Sequence, residues 1–485
     1  MKINSLKIAN WYILKDFEIS FEQNLSILIG ENGSGKSSVL ELIALIFGHL
    51  HKYFVEEDKT AAFIENYTIN FITEIKDKSY VVEIKSIGHQ KTNEETGTFE
   101  HSIKIDGKEY TLREANTLLN SIGGFKELLP KSIVLYYAGI TTRLENLNNY
   151  FDEKYRKKLT RENNVYTINP LKLPNERPFF YCKPYHVSSV LLCLLISEKE
   201  SHIKFISDNI EINKNSIEIS ISLKKPNWAK PGEDNSSFWG ASEGAIKEFL
   251  TKLTIYSEFS NFEDKNTVQL LFIGIFSLRD LLKSLSIQEE EVFLFKMLDL
   301  LIFNDLLDLI NISWKNNNGN EVELDRLSEG EKQLLLTSGL SELWSSKNSL
   351  FLFDEPDTFL HPNWQMNFIK NIEKRVSHNQ YIIATHSPQI INNTVNGELF
   401  ILEKGYQIKH SGNFYGRDVN SILTYYMKAK NRPLDIHRRL EIIADEIAAK
   451  KYSSAKKELD ELKSIVSDND AEYIRLSTKL NFLMG

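Results

Sequence analysis

Over the first thirty residues the apolar positions fall in short strand-like groups. Ile3, Leu6 and Ile8 form the first, Phe17, Ile19 and Phe21 the second, and Leu25-Ser26-Ile27-Leu28-Ile29 an apolar third. Apolar and polar residues alternate again from 67 to 110, as in Tyr67-Thr68-Ile69-Asn70-Phe71 and Tyr80-Val81-Val82-Glu83-Ile84, with an Asp106-Gly107 turn signal. This predicts an antiparallel sheet, and Lys131–Tyr137 predicts a further strand. From about 141 to 320 the pattern is less regular. Helical spacing shows at Gly244–Leu250 and over 288–310, and Asn316–Asn320 reads as a turn between two strands. Residues 321–404 read as strand, helix, strand, helix, strand, strand. Beyond Pro433 the period becomes that of short amphipathic helices. Ile436, Leu440, Ile443 and Ile447 form one stripe, Ala455, Leu459, Leu462 and Val466 a second, and Leu476, Leu480 and Leu483 a weaker third. There are no sustained heptads, which argues against a long coiled-coil arm.

Composition narrows the class. The 485 residues carry a net charge of -8, so any contact with nucleic acid must come from a local basic patch and not from global attraction. Cys182 and Cys193 have no metal-ligand spacing, which argues against a zinc site or a disulfide framework. The first residues pattern as a strand and not as a signal peptide. The longest apolar run, Val190–Ile196, is far shorter than the ~20 residues of a membrane span. The expected setting is the cytoplasm, without a membrane partner.

The strongest chemical signal is Gly30-Glu31-Asn32-Gly33-Ser34-Gly35-Lys36-Ser37, which fits G-x-x-x-x-G-K-[ST] between an apolar strand and the helical run Val39–Leu45. Such a loop turns backbone N–H groups and a helix N-terminus toward one anion site. Lys36 is assigned to the outer phosphates of ATP and Ser37 to Mg²⁺, and Ser38 completes the candidate cradle. Leu350-Phe351-Leu352-Phe353-Asp354-Glu355 is an apolar strand ending in two acids, a Walker B pattern. Asp354 suits Mg²⁺, and Glu355 suits the general base that polarises water. Ser328-Glu329-Gly330-Glu331 precedes an apolar helix. Ser328 and the Gly330 N–H could grip a phosphate, and the same residues also make a plain helix cap. Tyr381-Ile382-Ile383-Ala384-Thr385-His386 is a strand ending at a histidine, a structural residue by default. At the same sheet edge as the phosphate loop it becomes a γ-phosphate sensor.

Together and in this order, the four motifs resemble the ABC-type ATPase heads of the SMC, RecF and OLD families. The resemblance implies an α/β P-loop NTPase: a mixed sheet with flanking helices, a helical insertion and a short helical C-terminal tail. On that reading 1–140 is the N-terminal ATPase half with its β lobe, 141–320 a mostly helical insertion, 321–430 the C-terminal ATPase half, and 431–485 the tail. The signature departs from the usual Leu-Ser-Gly-Gly form, with Glu329 at the first glycine. Asp354-Glu355-Pro356-Asp357, Leu360-His361-Pro362 and Trp364-Gln365 look like OLD-like defence ATPases. Pro178–His186, Tyr415–Leu423 and Arg432-Pro433 look like the PtuA ATPase subunits of Septu-type and retron-linked anti-phage systems. That likeness implies a homodimer or higher homo-oligomer around sandwiched ATP, with an HNH nuclease (PtuB-like) or a retron component as partner, and possible DNA contact. OLD nucleases append a Toprim domain. The short helical tail here does not resemble one, so no intrinsic nuclease is expected. A RecF- or SMC-like repair ATPase, an OLD-like nuclease with an unrecognised site and a non-hydrolysing ATP-binding scaffold are the alternatives.

Weaker candidates remain. Trp11 or Tyr12 could stack on adenine or simply pack. Lys154, Arg156, Lys157, Lys158 and Arg161 could meet DNA phosphates or form a solvated face. The lid glutamine of ABC-type heads has no clear counterpart, and 137–141 is its expected neighbourhood.

Overall fold

The computed structural model describes residues 1–484 except 59–60, 63–65, 91–95, 122, 140–144, 147, 154–177, 242–243, 287–288, 345–347, 378, 409–413, 428–431 and 468. The basic cluster at 154–161 and part of the expected lid region, 140–141, therefore lie outside the described residues. The chain divides into two compact units, Met1–Gly416 and Arg417–Gly485.

The first unit is built on three sheets. Its centre is a seven-stranded sheet whose spatial order is Phe179–Cys182, Ser132–Tyr137, Ser349–Asp354, Gln380–Ala384, Leu25–Gly30, Glu398–Glu403 and Tyr406–Ile408. The first six run parallel, and the last is an antiparallel edge. The apolar runs foresee this burial: Leu25–Gly30, Ser349–Asp354 and Gln380–Ala384 are buried at every position, as parallel strands covered on both faces require.

A second sheet, from Lys2–Trp11, Leu14–Ser20 and the strands between 61 and 110, is antiparallel. Its Tyr67–Ile75 strand buries alternate residues. The helix Lys36–Phe54 shares one core with this sheet and the central one, and its apolar residues are buried around most of its circumference. Phe47 meets Phe71 edge to face at 5.7 Å.

The third sheet corrects the expectation for 141–320. That stretch holds helices, among them His186–Ile196 and Glu290–Phe303, but also most of a five-stranded antiparallel sheet. Its order is Phe259–Asn261, Thr267–Ile273, Asn213–Lys224, Leu307–Lys315 and Glu321–Glu323. The helix expected over 288–310 ends at Phe303. A turn through Asp305, at φ 58°, launches the next strand. Strand Phe179–Cys182, inside the same stretch, belongs to the central sheet. Arg279 closes helix His186–Ile196 by donating to the Ile196 carbonyl at 2.6 Å and the Ser197 carbonyl at 3.2 Å.

In Arg417–Gly485, helices Leu434–Ala448, Tyr452–Lys463 and Ala471–Met484 bury Leu440, Ile443, Ile447, Leu459, Leu462 and Leu476 in their own core. Leu483, read as part of the third stripe, is exposed. The unit boundary falls before the expected start of the tail at 431. Among the described residues, no helix is long and apolar enough to cross a membrane.

Leu352 lies fully buried in the middle of the central sheet. Leu352→Ala should cost about 2–5 kcal/mol of unfolding free energy, read as a lowered urea midpoint. An unchanged midpoint would place this strand outside the cooperative core.

Candidate active site

The parallel register brings three strand ends to one edge. Asp354 pairs with Ala384, and Ala384 pairs with Leu28, two residues before the glycine loop. Gly30 leaves its strand at φ 153°, where a Cβ would sit 2.2 Å from the Leu402 carbonyl oxygen, so the exit admits only glycine. Gly35, at φ 108°, caps the helix that begins at Lys36.

Lys36 is buried, and its Nζ donates to the Gly30 carbonyl at 3.1 Å and to His386 Nε2 at 2.8 Å. With an ammonium donor at Nε2, the imidazole proton is assigned to Nδ1. Burial lowers the pKa of Lys36, against the pull of Asp354 and Glu355. Burial and then the neighbouring Lys36 lower that of His386.

Asp354 is buried, and burial pushes its carboxyl up to about 6 even though the Ser37 hydroxyl hydrogen-bonds it. Its Oδ1 has no hydrogen-bond partner. A hydroxyl beside an orphaned carboxylate oxygen is a donor set that fits a hard divalent cation. Glu355 follows at φ 52°, a left-handed conformation that is strained for a non-glycine residue and turns the chain at the strand end. Its Oε1 lies 3.8 Å from His386 Nε2, and its side chain is 41% exposed, open to solvent.

The structure thus brings together Lys36, Ser37, Asp354, Glu355 and His386. Glu31, Asn32 and Gly33 line the exposed lip of the loop, and Ser34 is buried with its hydroxyl unpartnered. Ser38 lies half-buried in the first turn of the helix. Ser328 and Gly330 make no bond to this cluster, although Gln333 of the same helix donates to the Pro356 carbonyl, next to Glu355. Among the described residues, no hydrogen bond or ion pair joins 328–331 to 30–37. Ser328 caps its helix in a reciprocal box, accepting from the Glu331 N–H at 3.3 Å while Glu331 accepts from the Ser328 N–H at 2.8 Å. Gly330 has a packing reason of its own, since a Cβ there would stand 2.8 Å from the Phe359 carbonyl oxygen and 3.0 Å from the Trp364 ring.

Tyr12 is 62% exposed at the tip of the first hairpin, with Trp11 edge-on at 4.8 Å. Ile13 and Leu14 of the same tip stand against Gly35. The hairpin therefore closes one side of the loop–helix junction.

Residues 1–391 match the AAA ATPase domain family. The chain belongs to that family. It is a P-loop ATPase. Two relatives are "Retron Ec83 probable ATPase" of Escherichia coli and "Retron Vc95 probable ATPase" of Vibrio cholerae serotype O1 biovar El Tor. The first is 29% identical over 138 residues, 26% of this chain and 25% of that protein. The second is 30% identical over 152 residues, 28% of each. The similarity thus spans only about a quarter of either relative. Among solved structures, the SMC head domain from Thermotoga maritima matches at a TM-score of 0.34 and 13% identity, covering 85% of this chain and 100% of that one.

The motif reading of this ATPase passed over Asp357 and Thr385 as working residues. Asp357 is buried, and its Oδ1 accepts from Thr385 Oγ1 at 2.7 Å. Burial pushes its carboxyl up to about 6, against that hydrogen bond. The available signal was a third acid one residue past Glu355-Pro356, on a chain turning back into the core.

Asp354 and Asp357 both hold their protons to about pH 6, against about 4 for an unfolded aspartate. Between those values these two groups bind more protons in the folded ATPase than in the unfolded chain, so their contribution to stability falls as pH rises from 4 to 6 and levels off above. Asp357→Asn should remove its share, making the slope of urea-melt midpoint against pH more positive than in wild type across the range. An unchanged slope would remove Asp357 as a source.

Proposed function

We propose that this chain hydrolyses ATP as a head-to-tail pair and uses that cycle to switch a partner effector in anti-phage defence, in the manner of PtuA. The carrying observation is the division of the motifs within one chain. The P-loop, Asp354, Glu355 and His386 converge at one edge, while the signature cap makes no bond to that cluster. A second copy related by a two-fold axis supplies the missing cap to each site, and both composite sites arise from one symmetry operation.

In this reading the N–H groups of Gly33–Ser37 and the Lys36 ammonium bind the phosphates. Ser37 and Asp354 hold Mg²⁺, which neutralises phosphate charge when bound. Glu355 takes a proton from the attacking water as its oxygen bonds the γ-phosphorus and the bond to the β–γ bridging oxygen breaks, releasing ADP and inorganic phosphate. His386 senses the γ-phosphate once its Nε2 exchanges the Lys36 contact for a proton and donates to the phosphate. Ser328 and the Gly330 N–H of the second copy close over the same phosphate. Closure follows from contacts made with ATP and lost with ADP, which is what a switch requires. The retron names of two relatives support a defence setting. An HNH nuclease or a reverse transcriptase in the adjacent reading frame is the expected genetic context. Hydrolysis that responds chiefly to DNA, in a salt-sensitive way, would instead favour a repair ATPase.

Glu355→Gln should slow steady-state hydrolysis by roughly 10²–10⁴-fold while nucleotide still binds, measured by phosphate release beside equilibrium binding. Equal turnover would remove Glu355 from the base role. Lys36→Ala and Ser328→Arg chains should each be inactive alone and regain turnover when mixed, because the mixed pair contains one intact composite site. A mixture that stays inactive while monomeric wild type turns over fully would sink the shared site.

A further inference from the structure

His386 is held from both sides by a polar clasp that no motif describes. Thr385 Oγ1, before it in sequence, donates to Asp357 Oδ1 at 2.7 Å and accepts from the Ser387 N–H at 2.8 Å. Ser387 Oγ, after it, donates to Gln365 Oε1 at 2.7 Å. The amide of Gln365 in turn donates to the carbonyls of Asp357 at 3.2 Å and Leu360 at 3.0 Å. The ring closes on itself, running from Thr385 to Asp357 to Gln365 to Ser387 and back to Thr385. Thr385, Ser387 and Asp357 are buried, and Gln365 is half-buried. Satisfied buried polar rings of this kind fix geometry, because no member can rotate without stranding another.

The loop that forms half of the clasp also carries the signature helix. Gly330 rests on the Phe359 carbonyl and the Trp364 ring, and Gln333 donates to the Pro356 carbonyl. Residues 356–365 therefore touch the signature helix on one side and the flanks of His386 on the other.

We propose that Gln365 and Thr385 are positioning residues for His386. This rests on the ATPase reading above and adds a consequence to it. Gln365 and Thr385 touch no nucleotide in this scheme and act only through the imidazole.

The experiment is a double-mutant cycle in the full chain, with ATP turnover and thermal midpoint measured together. Gln365→Ala and Thr385→Val should each lower kcat by roughly 10–100-fold with little change in KM, since a misplaced group costs rate more than binding. Thr385→Ser, which keeps the hydroxyl, should restore kcat. In a His386→Ala background, Gln365→Ala should produce no further loss. Losses that multiply independently of His386, or that track the thermal midpoint alone, would overturn the proposal. Wild-type protein that fails to hydrolyse ATP, or a Glu355→Gln chain of equal turnover, would instead strike the underlying reading.

Discussion

The parallel register of three buried strands governs everything at the catalytic edge. Leu25–Gly30, Gln380–Ala384 and Ser349–Asp354 lie side by side, and their carboxyl ends reach the same edge, Gly30 two residues beyond the partner of Ala384. Each strand delivers one chemical function there: a phosphate loop, a histidine and a pair of acids. A one-residue slip of any strand would turn its terminal side chain into the opposite layer. Every position of these strands is buried, so a slip would force each side chain into a space shaped for another, overpacking one face and opening cavities on the other.

The same register explains which parts of the chain were legible beforehand. Unbroken apolar runs ending in chemistry-bearing residues have one economical reading, and they framed the phosphate loop, the paired acids and the histidine, whereas the signature was read from a serine and a glycine ahead of an apolar helix. The five-stranded sheet of the middle region was harder. Ile217, Ile219, Ile221 and Leu223 alternate cleanly, as do Val268, Leu270 and Phe272. The stronger helical patterns on either side masked them. The misplaced helix end has a specific cause: Leu306, Leu307 and Ile310 continue the three- and four-residue spacing of helix Glu290–Phe303 although the chain has already turned. Spacing is blind to a reversal made by two polar residues, and Asn304-Asp305 is such a pair.

The signature region carries two explanations at once. Ser328 and Glu331 form a complete capping box, and Gly330 is demanded by the Trp364 ring and the Phe359 carbonyl. Both observations are satisfied by folding alone. The change to Glu329 therefore need not disturb the helix start, since its side chain is 75% exposed and forms only a surface pair with Lys332. The proposed phosphate-gripping role would sit on top of an already stable cap, so that a second molecule could use the helix end without reshaping it.

The electrostatics of the edge point to the kind of ligand it suits. Burial acts against charge of either sign. It lowers the pKa of Lys36 and His386 and pushes the carboxyls of Asp354 and Asp357 up to about 6. A lone anion would relieve the cationic side and worsen the acidic one, and a lone cation would do the reverse. A polyphosphate bound together with a divalent cation answers both. The anion would favour the charged form of Lys36, and a cation at the Asp354 oxygen that has no hydrogen-bond partner would favour the carboxylate. The two halves of the ligand should therefore bind with mutual reinforcement. The coupling resides in the protein's own shifted groups as well as in the attraction between phosphate and metal.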